Sequence, residues 1–110
     1  MHLSPKETVE LVFQTLEKRF PGVLFAVRLV APVLADLAEE PGRRSIEVVW
    51  LKGPGREAVA EAVERFQGIE WDPRTGRLRR ISHWLVDANG GLRRVTYGAD
   101  YIFCEGPLDA

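Results

Sequence analysis

The run Ser45-Ile46-Glu47-Val48-Val49-Trp50-Leu51, followed at once by Lys52-Gly53-Pro54-Gly55, constrains this chain more than any other stretch. Val48, Val49 and Trp50 favour extended backbone, and the two-residue period of a strand places Ile46, Val48 and Trp50 on one face. Gly-Pro-Gly cannot continue a strand. Beyond it Ala58, Val59, Ala62, Val63 and Phe66 recur at helical spacing, while Arg56, Glu57, Glu61, Glu64 and Arg65 stay off that stripe. A strand therefore ends where an amphipathic helix begins, and the helix is expected to end at Gly68. The other elements must pack around this pair.

Upstream, Ser4-Pro5-Lys6-Glu7 has the form of a capping box, so a helix should start at Pro5 with Val9, Val12, Phe13 and Leu16 toward the sheet. Pro21 and Gly22 end it, because the residue before proline avoids helical dihedrals and glycine permits a tight turn. Val23 to Leu29 alternates as a first strand. Ala31 to Arg44 reads as a connector in which Pro32 and Pro41 enclose a short helical stretch, Val33 to Glu40. With no long crossover helix, the Ser45 strand should run antiparallel to the first.

Downstream, Ile69 to Asp72 reads as a short extended piece, and Asp72-Pro73-Arg74-Thr75-Gly76 as a turn. Arg77 to Val86 and Leu92 to Tyr97 then flank Asp87-Ala88-Asn89-Gly90-Gly91, and Asn-Gly is a strong hairpin signal. With Asn89 and Gly90 as a two-residue loop, Trp84 faces Val95 and shares a face with Val86 and Tyr97. Arg77, Arg79, His83 and Arg94 then lie on the other face. If the loop takes in Gly91 as well, the register changes and this grouping fails. Gly98 marks a bend, Ala99 to Cys104 a last apolar strand, and Glu105 to Ala110 a tail. The expected fold is α+β, with two helices packed on one face of a four- or five-stranded, mainly antiparallel sheet in the order helix, strand, strand, helix, strand, strand, strand.

The 110 residues, 45% hydrophobic and 28% charged, are enough for one hydrophobic core and are read as a single domain, residues 1–110. No apolar run approaches the roughly 20 residues of a membrane span, and the N-terminus has no basic segment followed by an apolar one. A cytoplasmic protein without a membrane partner is expected. A net charge of −1 means that any affinity for nucleic acid must come from a local patch. One cysteine, Cys104, and two histidines, His2 and His83, exclude an internal disulfide and the Cys-cluster zinc patterns, so no metal and no cofactor are expected.

Four features carry candidate chemistry. Lys52, Gly53, Gly55 and Arg56 place amides and basic residues at a helix start, the recipe for an anion site, but the run lacks the Gly-Lys-Ser/Thr ending of a nucleotide loop and Pro54 removes a donor. Arg77, Arg79, His83 and Arg94, near Trp84 and Tyr97, would form a basic hairpin able to hold phosphates and stack bases; solvation and edge protection also explain such charges. Cys104 with a histidine reads better as a buried small hydrophobe than as a nucleophile. Asp72, His83 and Asp100 in a cleft would make a small enzyme, the alternative to a non-enzymatic binding or accessory module with a nucleic-acid or protein partner. Lastly, helices on one sheet face leave Val49 and Leu51, or Leu24 and Ala26, needing cover, which a partner subunit in a homodimer would supply.

Phe20-Pro21-Gly22-Val23 leading into Phe25-Ala26-Val27-Arg28, the Ile46-Glu47-Val48-Val49-Trp50 strand, Gly53-Pro54, Phe66, Asp72 and the closing Gly98-Ala99-Asp100-Tyr101-Ile102-Phe103 together resemble one of the small domains associated with large polyvalent proteins of phages and conjugative elements. The resemblance runs from Phe20 to Phe103. It implies an accessory module of a mobile element and assigns no catalytic residue.

Overall fold

The structure, a computed structural model, describes residues 1–30, 44–86 and 88–108. In chain order the elements are β1 (His2–Leu3), α1 (Pro5–Arg19), β2 (Ala26–Val30), β3 (Arg44–Val49), α2 (Arg56–Val63) with a 3-10 turn at Glu64–Phe66, β4 (Ile69–Asp72), β5 (Arg77–Arg80), β6 (His83–Val86), β7 (Leu92–Tyr97) and β8 (Ala99–Glu105). The helical stretch expected in the connector lies outside the described residues.

The chain is α+β, but the single sheet is corrected. The strands form a three-stranded sheet in the order β2-β3-β8, another in the order β1-β7-β6, and a two-stranded ribbon of β4 and β5. Gly98 is one reason. It lies between β7 and β8, its N–H donates to Leu3 O at 2.8 Å, and a Cβ at this position would sit 2.8 Å from both that oxygen and the Pro5 ring. The close approach bends one extended stretch so that β7 pairs with β1 and β8 pairs with β3. A second break falls at Ile81 and Ser82, where Ile81 N–H donates to Gly68 O at 3.0 Å, so Arg77 to Val86 is two strands with different partners.

β3 is the centre of its sheet. It runs antiparallel to β2, as expected, and parallel to β8, with Ile46 opposite Ile102 and Val48 opposite Cys104. Ile46, Val48 and Trp50 are all buried and join Val12 and Leu16 of α1 and Val59 and Val63 of α2 in one core. α1 lies against β2, β3 and α2, and α2 lies against β8. The face of this sheet that bears Arg28, Glu47, Tyr101 and Phe103 is turned away from that core.

Local signals set both helices. The Ser4 hydroxyl accepts from Glu7 N–H, and the Glu7 carboxylate accepts from Ser4 N–H, each at 3.1 Å. The buried line of α1 is Thr8, Val12 and Leu16, four residues apart, so Phe13, one residue and about 100° further round, is exposed rather than in the stripe. α2 is shorter than its pattern implied: after Val63 it tightens into the 3-10 turn that turns Phe66 inward. The expected tail is also corrected. Trp50 O accepts from Leu108 N–H at 3.0 Å, and Gly106 packs directly on the Trp50 ring.

Candidate functional site

The basic hairpin depends on register, and the register differs from the two-residue-loop reading. Val86 pairs with Leu92, Trp84 with Arg94 and His83 with Val95, which shifts every pair by one residue. Trp84 therefore shares its face with Arg94, Val86 and Leu92. It is 64% exposed, and the Arg94 Nε–H donates to Ser82 Oγ at 2.8 Å. His83 lies on the core side: its ring is 5.1 Å from that of Tyr97, and its Nε2 is 3.3 Å from Gln67 O.

Arg77 and Arg79 belong to the separate β4-β5 ribbon, opposite Asp72 and Glu70 respectively. Cross-strand partners share a face, so each of these arginines has a carboxylate beside it. Arg79 is ion-paired to Glu70, with an Nε–H to Oε1 distance of 2.8 Å. The structure thus does not gather Arg77, Arg79, His83 and Arg94 on one face. A one-residue slip moves His83 and Arg94 apart, and the break at Ile81 and Ser82 removes the other two.

Of the groups considered for catalysis, Asp72 and His83 make contacts within the fold. Asp72 Oδ1 accepts from Arg74 N–H at 2.9 Å, closing the turn in which Gly76 adopts a φ of +68°. Asp100 is fully buried. Burial pushes the Cys104 thiol up to about 11, with Arg56 lowering and Glu105 raising it, so it is a protonated, weak nucleophile at neutral pH. Among the described residues no group of three or more His, Cys, Asp and Glu is placed to hold a metal ion. No helix among them is long and apolar enough to cross a membrane.

Lys52, Gly53, Gly55 and Arg56 lie exposed in the turn between β3 and α2. Gly53 has a φ of +135°, and Pro54 O accepts the Trp50 indole N–H at 3.0 Å. The turn is held from within the fold. Beside it opens a groove of about 680 Å³ lined by Val23, Leu24, Phe25, Trp50, Leu51 and Lys52, among others. Leu24 and Leu51, both expected on an uncovered face, are 90% and 62% exposed.

On the same sheet's outer face Tyr101 and Phe103 lie with ring centroids 5.0 Å apart, next to an Arg28–Glu47 ion pair of 2.7 Å. Sequence reasoning missed these two aromatics as surface residues. Their alternation with Ile102 and Cys104 was the available signal, since a strand with one face in the core must turn every second residue out.

A family model described as large polyvalent protein associated domain 29 matches residues 3–107. The chain belongs to that family. The matched span takes in both helices of this large polyvalent protein associated domain and every strand from β2 to β8. No curated protein and no solved structure matches the chain.

Proposed function

We propose that this large polyvalent protein associated domain is a non-catalytic docking module that binds a protein segment through the open face of the β2-β3-β8 sheet. The observation that carries the reading is the exposure of Leu24 and Leu51, which line the groove just before β2 and just after β3, beside the sheet that also turns Tyr101 and Phe103 outward. Scattered exposed apolar side chains are ordinary, whereas large ones gathered at one place are typical of interfaces. The charges at its centre, Arg28 and Glu47, balance each other, which suits burial against protein better than contact with a polyanion. The family description, a domain associated with large polyvalent proteins, supports a neighbouring domain of such a protein as the occupant. The internal commitments of Asp72, His83 and Cys104 support a binding role over a catalytic one.

The test is titration calorimetry against the polypeptides encoded beside this chain, comparing wild type with a Leu51→Glu/Phe103→Glu variant. Both side chains are exposed, so the variant should fold and lose binding. A variant that binds like wild type overturns the reading, as does a wild type that binds none of them and stays monomeric at all concentrations. Self-association that the variant abolishes would make a second copy the occupant.

A further inference from the structure

The outer face of the β1-β7-β6 sheet is a separate surface with a different chemistry. The register sets Trp84, Val86, Leu92, Arg94 and Thr96 on it, and Ser82, just before β6, is bonded to Arg94 there. His2 joins from β1, its Nδ1 2.8 Å from Thr96 Oγ1. None of these residues is acidic, in contrast with the β4-β5 ribbon, where Asp72 and Glu70 stand opposite the arginines. At the centre an indole 64% exposed lies directly across from Arg94, whose guanidinium is oriented by its bond to Ser82. An exposed aromatic ring offers a stacking surface for any base, and a fixed guanidinium beside it holds a phosphate.

We propose that this face binds single-stranded nucleic acid, with Trp84 stacking a base and Arg94 contacting the adjoining phosphate. Of the four residues that the sequence grouped as a basic face, only Arg94 takes part. The site is compact. It has one stacking residue and one arginine, so affinity is modest and depends on salt through few phosphates. An acidic peptide shares the negative charge but has no planar base, and its binding would not depend on Trp84.

The experiment is fluorescence anisotropy of a labelled oligothymidylate of about ten nucleotides, a length that spans one such platform. It is read at several salt concentrations against wild type, Trp84→Leu, Arg94→Ala and Arg77→Ala. Trp84→Leu should weaken binding by about ten-fold, the loss of one stacked base. Arg94→Ala should reduce the slope of log affinity against log salt by about 0.7, the loss of one single-strand phosphate contact. Arg77→Ala should change neither. Circular dichroism melts of each variant verify folding, which these exposed positions should leave intact. The proposal is overturned if wild type does not bind at low salt, if Trp84→Leu binds as tightly as wild type, or if poly-glutamate displaces the oligonucleotide as well as unlabelled oligothymidylate does.

Discussion

The indole N–H of Trp50 donates to the carbonyl oxygen of Pro54 at 3.0 Å, tying the end of β3 to the turn that starts α2. The same ring lies 5.7 Å from that of Phe25 and against the backbone of Gly106. One side chain thus joins the lead into β2, the strand-to-helix turn and the segment after β8. The open groove lies against this joint, so the shape of the proposed docking face depends on a buried tryptophan.

Trp50→Ala should cost roughly 3 to 5 kcal/mol, since it leaves a cavity at a fully enclosed site. Trp50→Phe should cost less, keeping most of the ring contact but leaving the Pro54 carbonyl without its indole donor, a loss of about 1 kcal/mol. Denaturant melts give both values. A loss below about 1 kcal/mol for the alanine variant would contradict the enclosed position.

Gly98→Ala should destabilise by about 1 to 3 kcal/mol, because the added methyl must displace backbone rather than a flexible side chain. Its nearest neighbours would be Leu3 O and the Pro5 ring, both at 2.8 Å. Amide exchange should show the protection of β1 and of the adjoining end of β7 falling first. Uniform loss across the chain would argue against a local cause.

Cys104 predicts a pH dependence. Its thiol is raised by burial from an ordinary value of 9.0 to about 11, so the unfolded chain loses that proton at lower pH than the folded one. Between these values the unfolded state binds fewer protons, and stability falls as pH rises. Below pH 9 the contribution is fully present. Cys104→Ala should flatten the fall in melting temperature across that window, and wild type should react slowly with thiol reagents at neutral pH. Fast labelling in the folded state would contradict the burial.

The Arg79–Glu70 pair should matter little to stability. Its side chains are 53% and 41% exposed, and solvated pairs of this kind contribute about 0 to 1 kcal/mol. A double-mutant cycle with Arg79→Ala and Glu70→Ala should return a coupling energy in that range. A coupling above about 2 kcal/mol would mean that the ribbon is more enclosed than its exposure indicates.

Features that depend on a few neighbouring residues were legible in the sequence. Ser4 and Glu7 cap α1 as their spacing implies, Ile46, Val48 and Trp50 share the buried face, and Gly22 and Gly76 take the positive φ values that their turns require. Capping and turn dihedrals are satisfied within one or two turns of chain, so short patterns specify them. The register of β6 and β7 was not legible, because Asn89-Gly90 is compatible with more than one loop length and a slip of one residue exchanges every inward for every outward side chain. That slip alone put Trp84 on the surface and His83 against Tyr97. The parallel pairing of β3 with β8 and the division into separate sheets were decided only by tertiary packing. They rest on contacts such as Gly98 against Leu3 and Pro5, between segments some 90 residues apart, which no local pattern encodes.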